Sequence, residues 1–254
     1  MIDIHSHILP GLDDGAKTMA ESLEMARHAV EEGIRIMIAT PHHKNRFFEN
    51  PKDIIFQKVR ELNKELRDEG ISLTILAGQE PAIHGDILED FKKGELLTLN
   101  ETQYLFIELP SGHVPRYTEQ FLFDLQNMGA VPIIVHPERN QGMVERPEIL
   151  YNLVKKGALA QLTASSISGM FGKNVKKFSH QLIAANLIHF IASDAHNIHN
   201  RAFHMANAYE VIESDYGIDM VCFFQENAGL LIEGKNVYKE VPQQVKKKKL
   251  LGIF

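Results

Sequence analysis

Cys222 is the only cysteine in the chain. No intramolecular disulfide can form, and a structural zinc site built on thiolates is excluded. No apolar run approaches the length needed to span a bilayer. The opening residues Met1-Ile2-Asp3-Ile4-His5 lack a basic region followed by an apolar stretch, so no signal peptide is read there and a cytoplasmic location is expected. Low-complexity segments and short-period repeats are missing too. Basic charge is in deficit: a net charge of −6 argues against a nucleic-acid-binding domain. The exception is the run Lys246 to Lys249, in a basic tail from about Gln243. It reads as solvated, and is short for a membrane or nucleic-acid contact.

What the chain does have is histidine, thirteen in all, several beside acidic residues that follow apolar runs. Its 254 residues suffice for one large core, and one domain over residues 1–254 is expected. Short apolar runs alternate with amphipathic stretches, the pattern of βα units. Strands are predicted at Ile2–His5, Arg35–Thr40, Leu73–Ala77, Tyr104–Leu109, Val131–His136, Ala158–Thr163 and His189–Ser193. Helices are predicted at Thr18–Glu32, Pro51–Glu69, Thr118–Met128, Arg146–Lys156, Asn174–Asn186 and Arg201–Ser214. Seven units of roughly 30 residues predict an α/β fold with parallel strands and outer helices, a (βα)7 barrel. An open doubly wound sheet is the alternative, but it would place a site at one switch point, whereas polar residues here follow almost every strand.

Those polar residues are His5 and His7, His42 and His43, Glu80, Glu108, His136, and Asp194 with His196. In a parallel barrel the C-terminal ends of the strands build one site. Residues two apart on an extended strand point the same way, so His5 and His7 can reach one cation. Pro41 stops sheet pairing and delivers His42 past the rim, though either His42 or His43 suits a ligand. Glu80 alone reads equally well as a solvated loop residue. Glu108 lies between apolar neighbours, where a buried carboxylate needs a cation. Asp13-Asp14-Gly15 reads either as a turn with a helix cap or as a loop carboxylate reaching the cluster. Arg139 offers a planar fork for phosphate oxygens, its plainer reading being an ion pair with Glu138 or Glu145. Arg201 closely follows Asp194-Ala195-His196. So many imidazoles and carboxylates at one rim require cations, and nitrogen and oxygen ligands without thiolates suit Zn, Mn or Fe. Two or three ions with a bridging carboxylate fit that count.

The set His5-x-His7, His42, Glu80, Glu108, His136 and Asp194-x-His196 resembles the PHP (polymerase and histidinol phosphatase) family, over Asp3 to Arg201. HSHILPGLDDGA, HPERN and SDAHN make the chain similar, more closely, to the CpsB/YwqE type of bacterial protein-tyrosine phosphatase. The resemblance implies a distorted seven-stranded βα barrel, PHP-type, with three metal ions, most readily manganese. It implies His5, His7, Glu80 and Asp194 on one ion, Glu80, Glu108 and His136 on a second, and Asp14, His42 and His196 on the third. Many family members have His where Asp14 stands. Arg139 and Arg201 would bind phosphate, and Asp194 could also handle protons. The implied activity is phosphotyrosine hydrolysis by metal-activated hydroxide, with a bacterial tyrosine kinase and other proteins of capsule or exopolysaccharide synthesis as substrates.

A small phosphomonoester such as histidinol phosphate is the alternative substrate. An amidohydrolase would often need a strand-end lysine, and none stands at a matching position. A cysteine-nucleophile phosphatase is disfavoured, because Ala228 occupies the position six residues after Cys222. Cys222, inside an apolar run, reads as core packing. A metal-binding scaffold without catalysis is the rival from another class. The loop Lys44-Asn45-Arg46-Phe47-Phe48 sets aromatic beside basic side chains, fit for a phosphotyrosine ring and acidic flanks or for packing the next helix.

Overall fold

The computed structural model describes residues 1–246, so Lys247 to Lys249 of the basic run lie outside the described residues. The strands, in chain order, are β1 (Ile2–Ser6), β2 (Ile36–Ala39), β3 (His42–His43), β4 (Thr74–Ala77), β5 (Glu80–Pro81), β6 (Tyr104–Ile107), β7 (Val131–Val135), β8 (Leu159–Thr163) and β9 (Phe190–Ala192). Seven of them fall on the predicted runs. The two-residue strands β3 and β5 prolong β2 and β4 beyond short breaks. Pro41, which has no N–H to donate, lies at one break, and Gly78-Gln79 forms the other.

Every pairing is parallel. β1 pairs with β2, β2 with β4, β3 with β5, and β6 through β9 pair in order. Two isolated bridges join these pieces, Ala82 to Glu108 and Ser6 to Ala195. The His7 amide donates to the Ala195 carbonyl at 2.9 Å, and the Asp194 amide donates to the His5 carbonyl at 2.9 Å. The pairing therefore runs in a closed circuit, in which the first and last strands are neighbours. An open sheet would leave β1 and β9 as free edges, and here they bond to each other.

The helices are α1 (Met19–Glu31), α2 (Lys52–Asp68), α3 (Ile87–Lys92), α4 (Thr118–Asn127), α5 (Gln141–Glu145), α6 (Glu148–Lys155), α7 (Ala164–Ser168), α8 (Lys173–Ala184), α9 (Met205–Tyr216) and α10 (Ile218–Ile232). Thr18 caps α1, its hydroxyl accepting from the Glu21 amide. Two buried clusters result. Outward strand residues such as Met37, Leu105, Ile134 and Leu162 pack with the helices. Inward residues Ile4, Ile38, Phe106, Ile133, Val135, Leu159 and Phe190 form the second, joined by Ala228 and Leu231 of α10. α10 closes the N-terminal end of the strands. There Asn227 Nδ2 donates to the His189 and Tyr238 carbonyls, and the Tyr104 hydroxyl donates to the Lys235 carbonyl at 2.6 Å. No helix among the described residues is long and apolar enough to cross a membrane.

Three expectations need correction. α10 was absent from the predicted helices. Cys222 lies on it and is exposed rather than packed in the core, because only Val221, Phe224, Asn227, Ala228 and Leu231 face inward. α9 starts at Met205, not Arg201. The segment between is folded back, the His196 and Asn197 amides donating to the Arg201 carbonyl, which holds Arg201 in a loop beside the strand ends.

Candidate metal centre

β1 carries a bulge. Asp3 faces Met37 and Ser6 faces Ala39, so three steps on β1 match two on β2. This lets Ile4 fill the inner core while His5, the next residue, also reaches inside, its ring 4.8 Å from that of Phe106. Asp3 turns elsewhere, accepting from the Ser193 hydroxyl at 2.5 Å and the Ser193 amide at 3.0 Å. His7 lies just past the strand. The loop after it folds back so tightly that a Cβ on Gly15 would sit 2.0 Å from the His7 carbonyl oxygen. His136 and Asp194 both take positive φ, 36° and 52°, where their strands end. For residues that are not glycine this costs energy, and such strain gathers at functional sites.

The sequence-predicted residues converge at the C-terminal rim. Glu80 is wholly buried at its centre, not solvated. His5 Nε2 and His136 Nε2 stand 3.4 and 3.0 Å from Glu80 Oε1, and His7 Nε2 stands 3.4 Å from Oε2. Asp194 Oδ1 is 3.5 Å from His5 Nε2 and 3.2 Å from His7 Nε2. His42 Nδ1 lies 2.8 Å from Glu80 Oε2 and 3.6 Å from Glu108 Oε2. Asp14 Oδ1 meets His42 Nε2 at 3.4 Å and His196 Nε2 at 3.3 Å. Three groups have ligand atoms close enough to share an ion: His5, His7 and Glu80; His42, Glu80 and Glu108; His7, Asp14, His42 and His196. His43 turns away, its Nδ1 accepting from the Asn50 amide at 3.1 Å. Arg139 Nη2 pairs with Asp194 Oδ2 at 2.5 Å rather than with Glu138 or Glu145, and Arg201 Nη1 pairs with Asp14 Oδ2 at 2.9 Å.

Several residues support the cluster in ways the sequence did not assign to them. Asp13 Oδ2 lies 2.7 Å from His7 Nδ1 and accepts from the His42 amide at 3.1 Å, while its Oδ1 accepts from the Gly15 amide at 2.9 Å. One carboxylate thus orients one imidazole and anchors the backbone of another. Gln161 Oε1 lies 3.0 Å from His5 Nδ1. Its signal was visible as the lone amide in the apolar run of β8. Buried Glu138 accepts from the Ser166 hydroxyl at 2.6 Å and the Thr163 amide at 3.2 Å, fixing the turn that carries Arg139.

Electrostatics follow from burial and partners. Burial pushes the Glu80 carboxyl up, but His5 and His42 outweigh it and hold it well below the usual range. Burial likewise opposes ionised Asp194, and Arg139 and His5 reverse it. His42 loses by burial and gains more from Glu80, ending raised to about 10. Burial and then Arg139 lower His136 to about 4. Burial and then His7 lower His196 to about 4. Glu108 is raised to about 7 by burial and the Glu80 charge. Without a cation, protons on some imidazoles balance the carboxylates. A divalent ion would take their place, because ligating histidine must be neutral.

The donor set passes a further test for such ions. His42 Nδ1, Glu80 Oε2 and His196 Nε2 are buried with no hydrogen-bond partner, although the first two approach to 2.8 Å. Buried unpartnered lone pairs are costly, and a divalent cation satisfies them. A cavity of about 370 Å³ opens over the cluster, lined by His42, Glu108, His136, Arg139, Asp194 and Arg201 together with apolar Leu109, Pro137 and Met143.

A closed parallel α/β circuit with imidazoles and carboxylates gathered at its C-terminal rim defines a class, that of barrel proteins built to hold metal ions at the strand ends. Within it, the chain belongs to the capsular polysaccharide synthesis CpsB/CapC family, which matches residues 1–233. It is 50% identical to the tyrosine-protein phosphatase YwqE of Bacillus subtilis, over 100% of both chains. It is 34% identical to the tyrosine-protein phosphatase CpsB of Streptococcus agalactiae, covering 94% of this chain and 100% of that one. A crystal structure from the study of YwqE from Bacillus subtilis and CpsB from Streptococcus pneumoniae, described there as metal-dependent tyrosine phosphatases, superimposes with a TM-score of 0.95. It shares 49% identity and covers 97% of this chain and 100% of that one.

Proposed function

We propose that this chain is a metal-dependent protein-tyrosine phosphatase, working as one domain on phosphotyrosine in a bacterial tyrosine kinase and other proteins of capsule or exopolysaccharide synthesis. The observation that carries the reading is the conjunction of a metal-competent cluster with two guanidiniums at one cavity. Full-length similarity to proteins named tyrosine phosphatases supports the substrate class. A cytoplasmic location accords with a kinase substrate.

The ligands in this reading are His5, His7, Asp14, His42, Glu80, Glu108, His136, Asp194 and His196, holding three divalent ions, with manganese the first to test. Such ions supply an activated water and offset phosphate charge. The chain does the rest. Arg139 and Arg201 take the phosphoryl oxygens and stabilise charge spread over them in the transition state. Their present partners, Asp194 and Asp14, keep both forks aimed into the cavity. Leu109, Pro137 and Met143 offer an apolar wall to the phenyl ring. The leaving tyrosinate has a parent pKa of about 10, so it departs without a strong acid. Proton handling is also assigned to Asp194 in this reading.

The test uses metal-stripped protein, readdition of Mn, Zn, Fe or Mg, and a phosphotyrosine peptide beside histidinol phosphate. Metal-dependent turnover favouring the peptide is expected. Absence of metal-dependent turnover on either would overturn the reading, and preference for histidinol phosphate would reassign the substrate.

A further inference from the structure

A second cavity, of about 560 Å³, adjoins the metal cavity and shares Glu108, Leu109 and Ser111 with it. Its far wall is the loop after β3, with Arg46 and Phe47. Phe47 is 81% exposed, more than any other large hydrophobic side chain among the described residues. A free phenylalanine tip usually turns inward, because burying an aromatic ring removes roughly 150–250 Å² from water. Here the ring stays outside while the loop backbone beneath it is tied down. Asn45 Oδ1 accepts from the Phe47 amide at 2.9 Å and the Phe48 amide at 2.8 Å. Phe48 stacks on His42, centroids 6.1 Å apart and planes at 11°. Lys44, at φ 53°, holds the loop base through Asp90 at 3.3 Å and Glu49 at 3.7 Å. Lys44 is therefore neutralised. Arg46, by contrast, is exposed and makes no ion pair among the described residues.

We propose that this groove receives the residues flanking the substrate phosphotyrosine, an aromatic or apolar side chain resting on Phe47 and a carboxylate meeting Arg46. The inference rests on the tyrosine-phosphatase reading. Continuity selects the occupant. A phosphotyrosine seated at the metal cluster must lead its own backbone out through the cavity mouth, and the groove begins at that mouth with shared residues. Charge selects the flank, since the only unpaired cation of the wall asks for an acid. Rigidity selects Phe47 as an anchor: its loop is held before the peptide arrives, which lowers the ordering cost of binding. Phe48, tied to His42, is the loop's attachment to the metal site and not part of the groove.

The experiment compares three substrates on the metal-loaded protein: a phosphotyrosine peptide with Glu and Phe flanks, the same peptide with Lys and Ala flanks, and p-nitrophenyl phosphate. Phe47→Ala is expected to lower kcat/KM for the acidic peptide, relative to p-nitrophenyl phosphate, about tenfold, through KM. Phe47→Tyr should restore it. Arg46→Glu should reverse the preference between acidic and basic flanks. Ratios that stay within about twofold in both variants overturn the groove while leaving the phosphatase reading intact. Turnover of p-nitrophenyl phosphate without turnover of either peptide overturns the protein-tyrosine-phosphatase reading, and the groove with it. Because each effect is a ratio within one preparation, partial unfolding of a variant cannot imitate it.

Discussion

Asp13 shows how much rests on one side chain outside the cluster. Its two oxygens serve the His7 ring and the amides of Gly15 and His42. His7 and the His7 partner carboxylate hold each other in register: burial pushes Asp13 up, His7 outweighs it, and the carboxyl settles at about 2. Such outer partners typically contribute 10–100-fold to metal affinity. Asp13→Ala should therefore weaken metal binding by about tenfold or more. Isothermal titration of the stripped protein with Mn checks this directly, and wild-type affinity in the variant would show that His7 needs no orienting carboxylate. The neighbouring Asp14 does a different job, its side chain 45% exposed between His42, His196 and Arg201. Adjacent aspartates in one turn thus divide into an orienting residue and a candidate ligand, a division their shared spelling in the sequence conceals.

At the scale of elements, β9 and α10 meet through His189, at the foot of the strand. Its Nδ1 accepts from the Ala160 amide at 3.2 Å, and its carbonyl accepts from Asn227. Burial lowers this imidazole to about 3 from its ordinary 6.5, the nearby Lys239 adding to the effect. The folded chain thus stays unprotonated there while the unfolded chain binds a proton below about 6.5. Stability is lost as pH falls through that window, by up to about 1.4 kcal/mol per unit from this residue. His189→Gln should flatten the dependence of unfolding free energy on pH between pH 6.5 and 4. Unfolding free energies from urea denaturation that run parallel against pH in variant and wild type would refute it. The main strands were legible because they are buried on both faces and read as continuous apolar runs. The short helices α3, α5 and α7, of five or six residues, span too few turns to show a period. α10 was missed for a different reason. Met220, Phe223 and Leu230 pack partly at its flanks besides the inward stripe, so its apolar residues form no clean face. The rim positions of His5, Glu80 and Asp194 could be read from strand ends. The bulge that turns His5 inward, and the partner of each histidine, depend on contacts between distant strands.

At the scale of the whole molecule, the site exists only when the ring is closed. His5 and His7 belong to the first strand, Asp194 and His196 follow the last, and the amides of His7 and Asp194 tie the two together. The inner core fills the space below the cluster, and α10 seals the far end. Among the described residues, the cluster opens to solvent at the cavity lined by His42, Glu108, His136, Arg139, Asp194 and Arg201, which ions and substrate would share. A bound oxyanion would stand in the path by which a metal departs, so traffic through the mouth couples product release to cofactor loss. Loss of activity in excess EDTA should slow severalfold when inorganic phosphate occupies the cavity, and a chelation rate indifferent to phosphate would point to a second exit. On that account, product phosphate lingering in the mouth would hold back the ions behind it.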